Sequence, residues 1–231
     1  MQSDSNFLQQ GARITVFLGE FGSGKTELAI NWALQTKRLG QKTAIVDMDL
    51  VKPFFHTRDH RQLLTTNGVE VIAADQRFAQ AELPVLPQAL SRVLCQADYR
   101  VVMDVGGGES AIVLAQFQER FIAGSYEALL VVNGYRPFTN TVDAVVAMRQ
   151  RLERVSGLKI SGLISNANLG ADTTVDHVQT GIALVQAVAA RLALPVVCIV
   201  VPEWLAGQVD TLYPEFILHP YNRFPWMGKS S

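Results

Sequence analysis

An α/β fold is predicted, with a mainly parallel sheet of about seven strands covered by helices on both faces. Three observations predict it. Short runs rich in β-branched residues recur at 14–18, 43–46, 69–73, 101–105, 128–132, 160–164 and 196–201. Several are almost wholly apolar, as strands buried on both faces are. Between them lie stretches with helical periodicity, and strands separated by helices imply parallel crossovers. Finally, 231 residues that are 48% apolar and 18% charged can fill one sizeable core and argue against disorder.

Taken in order, the first strand at 14–18 leads into a helix expected over 24–39, with Gly40 just beyond it. A second helix over 141–155 places Val142, Val145, Val146 and Leu152 on its apolar positions, and Gly157 is set to end it. The third is the clearest. Val175, Val178, Ile182, Val185, Val188 and Leu192 follow steps of three and four, Thr173 and Thr174 can cap the start, and Pro195 opens the next strand. No repeat or linker interrupts this series. It is read as one domain over 1–203, followed by a tail over 204–231.

Twenty Lys and Arg against 21 Asp and Glu give a net charge of −1. That excludes binding to nucleic acid or to an anionic membrane by bulk charge. Cys95 and Cys198 each sit in an apolar run and are expected to be buried; two thiols are too few for a disulfide framework or a four-thiolate metal site. The first ten residues carry one acid and no basic cluster, so no signal peptide is expected. No apolar run approaches the ~20 residues that span a bilayer, which gives the expectation of a cytoplasmic protein without stable membrane insertion.

The chemistry begins at Gly19-Glu-Phe-Gly-Ser-Gly-Lys25-Thr26, a full match to G-x4-G-K-[ST] between a strand and a helix. Glycines let the backbone curl so that successive N–H groups face phosphate oxygens, and the helix start adds its partial positive charge. Gly19, Glu20, Phe21, Gly22, Ser23 and Gly24 form this cradle, with Lys25, Thr26 and Glu27 opening the helix. Lys25 would supply a charge to the outer phosphates and the Thr26 hydroxyl a ligand for Mg²⁺.

Two further strand ends carry acids. Asp104 closes a buried strand, and Gly107 follows it in a D-x-x-G arrangement suited to sensing a γ-phosphate. Asp47 and Asp49 fall on one side of an extended segment at the mouth where open α/β sheets bind ligands. Asp49 is assigned to orienting the attacking water or a magnesium-bound water; Asp47 and Asp104 support the metal. Lys52, Arg58 and Arg61 follow as phosphate contacts, partner contacts or ordinary surface cations.

These residues resemble the SIMIBI class of P-loop NTPases, in particular the MinD/ParA/CobQ-CobB-type nucleotide-binding domains. The resemblance spans most of residues 12–203. It rests on the phosphate loop, the D-x-D at Asp47, the D-x-x-G at Asp104, the strand end carrying Asn166, and Pro202-Glu203 after the last strand. It implies a Mg²⁺-dependent ATPase that switches another protein, with a possible homodimer around the nucleotide. One departure stands out: that type usually has a lysine directly after the first glycine of the loop, and here the position is Glu20.

The guanine-reading N-K-x-D pattern is replaced by Asn166-Ala-Asn168-Leu169, without the Lys or the Asp. An Asn amide can pair with adenine, so ATP is the expected nucleotide, with Asn166 at the base edge and Pro202 and Glu203 as the second wall. His56 and His60 have a helix-compatible zinc spacing but lack the glutamate that usually accompanies it, and are read as part of a solvated switch segment. The tail, with three prolines among large aromatics, is expected to form no regular element and to pack on the domain or a partner. The alternative functions are an ATP-dependent small-molecule enzyme of the CobB or dethiobiotin-synthetase type, or a metal-delivery GTPase.

Overall fold

The computed structural model describes residues 6–48, 60–73, 88–106, 108–115, 118–121 and 124–221. Its strands are β1 (Ile14–Leu18), β2 (Lys42–Asp47), β3 (Glu70–Ala73), β4 (Tyr99–Asp104), β5 (Tyr126–Val132), β6 (Ile160–Ser165), β7 (Val196–Pro202) and β8 (Glu215–Leu218). They make one sheet in the order β3-β2-β4-β1-β5-β6-β7-β8, with every neighbouring pair parallel. The helices are α1 (Asn6–Gln10), α2 (Lys25–Arg38), α3 (Arg61–Thr66), α4 (Gln88–Cys95), α5 (Gly108–Ala115), α6 (Val142–Ser156) and α7 (Val175–Leu192).

Side-chain alternation splits the core between the two sheet faces. Ile14, Val16 and Leu18 of β1 join Val101 and Met103 of β4 under α4, α5 and α6. Phe17, Ile45, Val102, Leu129 and Val131 point the other way, onto α2. β1 lies between β4 and β5; the chain runs from β1 to β2 on one side, and from β4 it crosses back past β1 to β5 on the other. The carboxyl ends of β1, β2, β4 and β5 therefore converge at the switch point of the sheet, where ligands of such folds bind.

The expectation of an irregular tail is corrected at Glu215–Leu218, which pairs with β7 as an eighth strand. Pro214 and Pro220 bracket this stretch and do not enter it, and an edge strand has half its backbone groups left over in any case. The Pro214 carbonyl still accepts from the Ile199 N–H at 2.9 Å. Phe216 is fully buried, stacked on Trp32 of α2 with ring centroids 5.2 Å apart, and Phe7 and Phe17 meet the same indole edge-on. Asn31 of α2 secures the far end, its Nδ2 donating to the His219 carbonyl at 2.8 Å and its Oδ1 accepting from the His219 N–H at 2.9 Å. Phe216→Ala is expected to cost about 3–5 kcal/mol of unfolding free energy. Urea titration checks this; a loss below about 1 kcal/mol would show that the aromatic cluster does not hold the tail.

One of the two thiols also differs from expectation. Cys198 is buried in β7, where desolvation pushes its pKa far above the ordinary thiol value. Cys95 is exposed, because it ends α4 on the side facing solvent.

Candidate nucleotide-binding site

The phosphate loop runs from the end of β1 to the start of α2 and is packed too closely for side chains at its glycines. A Cβ at Gly19 would stand 2.6 Å from the Val131 carbonyl oxygen of β5. Gly24 caps α2 in the left-handed conformation, φ 86°, and a Cβ there would stand 2.4 Å from Nδ2 of Asn166. The N-terminus of α2, with its partial positive charge, thus opens directly at the loop. Lys25 folds back into it. Its buried Nζ donates to the carbonyls of Gly19 (3.0 Å) and Glu20 (2.9 Å) and reaches Ser23 Oγ at 3.4 Å.

Asp47 and Asp104 are register partners on β2 and β4, both buried. Their neighbours Val46, Met48, Met103 and Val105 belong to the opposite core, so both carboxylates lie on the α2 face. Met48 N–H donates to the Asp104 carbonyl at 2.9 Å, which holds the two strand ends together. With the half-buried Thr26 in the first turn of α2, this is a set of hard oxygen donors that suits Mg²⁺. Among the described residues no group of three or more His, Cys, Asp and Glu forms a metal cluster. Asp49, Lys52, His56, Arg58 and Gly107 lie outside the described residues; His60 and Arg61 are described, at the start of α3.

Asn166, expected at the base edge, is 2% exposed and gives its Nδ2 to the Ser23 carbonyl at 2.7 Å. It braces the phosphate loop from the end of β6. Pro202 ends β7 and Glu203 opens the 3-10 turn that follows, its carboxylate paired with the His219 imidazole. Beside them Trp204 donates its indole N–H to the Thr173 carbonyl. Glu27 accepts the Tyr221 backbone N–H, so its carboxylate serves the tail in this structure. Phe21 is 72% exposed at the outer edge of the loop.

Three residues near the loop escaped the sequence reading. Arg136, after β5, donates its Nε to the Gly22 carbonyl at 2.9 Å. Arg151 of α6 pairs with the Glu20 carboxylate at 2.6 Å. Asn133 is completely buried at the end of β5, donating to the Asn168 carbonyl and accepting from the Tyr135 N–H, which ties the post-β5 and post-β6 loops together. Only Asn133 left a sequence trace, since it ends an apolar strand as Asn166 does. Burial pushes the Glu20 pKa up, but the Phe21 N–H, the Arg151 guanidinium and the field of Lys25 outweigh it and hold the carboxyl below its ordinary value.

This architecture, one all-parallel sheet with a glycine-rich loop between β1 and α2, is a P-loop NTPase fold. Among solved structures it is similar to FtsY from Mycoplasma mycoides, with a TM-score of 0.53 and 20% identity, over 79% of this chain and 58% of that one. It is likewise similar to chloroplast FtsY from Physcomitrella patens, with a TM-score of 0.56 and 19% identity, over 82% of this chain and 58% of that one. Cell division protein ftsY from Thermotoga maritima matches with a TM-score of 0.55 and 18% identity, over 81% and 61%. This chain thus spans about three fifths of their length, and at such identity the likeness is one of fold. These neighbours bear on the fold alone and lend no support to the MinD/ParA subtype. No family model matches the sequence, and no curated protein does. No helix among the described residues is long and apolar enough to cross a membrane.

Proposed function

We propose that this chain binds a nucleoside triphosphate with Mg²⁺ and hydrolyses it, acting as a conformational switch on a partner protein. The observation that carries the reading is Gly24 in the left-handed conformation opening α2, with Lys25 folded into the loop that precedes it. On binding, Lys25 exchanges the Gly19 and Glu20 carbonyls for phosphate oxygens, while loop and helix N–H groups take the remaining lone pairs. Thr26, Asp47 and Asp104 would hold the magnesium. When bound, that ion draws charge from the phosphate oxygens and lowers the barrier to P–O cleavage.

In this reading Asn166 is a positioning residue that fixes the curvature of the loop. Asp49 orients the attacking water, and the Gly107 N–H reports the γ-phosphate to the segments after β2 and β4. ATP is the proposed nucleotide, because Asn166, Ala167, Asn168 and Leu169 offer no carboxylate to the N1 and N2 of guanine. Pro202 and Glu203 are proposed as the wall on which the base rests.

Phosphate release measured side by side with ATP and GTP tests the substrate; faster release from GTP would reverse the choice of base. Asp49→Ala is expected to leave nucleotide affinity within about threefold while lowering turnover on the order of a hundredfold. Unchanged turnover in that variant would remove Asp49 from the mechanism. Stimulation of release by a protein fraction, and not by low-molecular-weight compounds, is the expected sign of a switch.

A further inference from the structure

We propose that Arg151 is a positioning residue that makes the phosphate loop accept a triphosphate, by holding the Glu20 carboxylate in a neutral pair at the rim of the site. This inference rests on the nucleotide-binding reading above.

A carboxylate is an unexpected group at the second position of a loop that grips anions, and the structure shows how it is contained. One oxygen of Glu20 accepts the Phe21 N–H at 3.1 Å, and the other accepts from the Arg151 guanidinium at 2.6 Å. The main-chain carbonyl of Glu20 stands 2.9 Å from Lys25 Nζ. The acid therefore lies one side-chain length from the cation that would hold the phosphates. Arg151 reaches it from α6, which follows β5 and contributes nothing else to the loop among the described contacts. Arg136, from the same β5–α6 segment, adds a second cation at the neighbouring Gly22.

An exposed ion pair of this kind adds little to folding stability. Its effect on a multiply charged ligand is larger, because an uncompensated carboxylate repels each unit of phosphate charge in a partly dry site. A triphosphate carries one more negative charge than a diphosphate at the end nearest the loop. Without Arg151, Glu20 therefore penalises the triphosphate more than the diphosphate. The pair sets the ratio of the two affinities, and through it the nucleotide that occupies the site.

The test is calorimetric titration of wild-type protein, Arg151→Ala, Glu20→Gln and the double variant with the magnesium complexes of the tri- and diphosphate. Arg151→Ala is expected to weaken triphosphate binding roughly tenfold and diphosphate binding roughly threefold. The difference should shrink as salt is raised. The double variant is expected to return the ratio to within about twofold of wild type, since it removes the charge that Arg151 answers. The melting temperature of Arg151→Ala should stay within about two degrees, which separates the effect from unfolding. An unchanged ratio in Arg151→Ala, or a loss that Glu20→Gln does not reverse, would overturn the inference while leaving nucleotide binding intact. A wild-type protein that binds neither nucleotide overturns the nucleotide reading, and this inference with it.

Discussion

Replacing Lys25 by methionine is expected to weaken triphosphate binding by roughly two to three orders of magnitude. The ammonium sits at the turn from loop to helix, bonded to the Gly19 and Glu20 carbonyls and within 3.4 Å of the Ser23 hydroxyl. Hydrogen bonds to charged partners contribute about 1.5–3 kcal/mol each, and two such bonds to phosphate oxygens account for the predicted loss. Methionine keeps the length of the stem and removes only the charge and its donors, so the loss is assigned to the ammonium. The ligand-free protein should respond as well. The Gly19 and Glu20 carbonyls lose the donor that now holds them, and Glu20 loses the nearby cation that helps to keep it ionised. A destabilisation of about 1–2 kcal/mol in urea is expected from those two carbonyls. Calorimetry in millimolar Mg²⁺ decides the main point: affinity within about threefold of wild type would mean that the loop does not grip phosphate through Lys25.

The fold was legible where local pattern and tertiary environment agree. β1, β4 and β7 are buried on both faces, so their apolar runs stand out without reference to anything distant. The helices α2, α6 and α7 showed themselves by periodicity and by their end residues, and Gly40 and Gly157 are indeed left-handed just beyond α2 and α6. β8 was not legible. Its four residues offer one buried Phe216 between prolines, and what makes them a strand is the free edge of β7, which no local pattern reveals. The site divides in the same way. The loop and its lysine form one contiguous motif, and Asp47 and Asp104 end recognisable strands. Their side-by-side register depends on β2 pairing with β4, although β3 lies between them in the chain. Arg136 and Arg151 look like any solvated cation until the fold brings them to the loop. Asn166 ends a recognisable strand, but its bond to the Ser23 carbonyl spans 143 residues and no local pattern shows it.

Neutralising Asp104 is expected to produce the second large effect, and its pattern is specific to a cation site. Register-paired residues on neighbouring parallel strands stand about 4.8 Å apart, so the Asp47 and Asp104 carboxylates share one small volume at the mouth of the sheet. Two like charges that close repel each other, and a divalent cation relieves the repulsion while it gains their oxygens as ligands. Wild-type protein with bound nucleotide should therefore melt higher when Mg²⁺ is added, by the mass-action gain of a ligand specific to the folded state. Asp104→Asn should lose most of that gain, because asparagine keeps the shape and removes one of the charges that would hold the cation. Turnover should fall by roughly a hundredfold or more, equivalent to about 2.7 kcal/mol of barrier. Asp47→Asn should behave alike, and the double variant should be little worse than either single one, as residues acting as a unit are. Melting curves with and without magnesium, read beside phosphate release, separate the outcomes. If Asp104→Asn keeps both its magnesium response and its turnover within about threefold of wild type, the paired carboxylates are structural and the metal is held elsewhere.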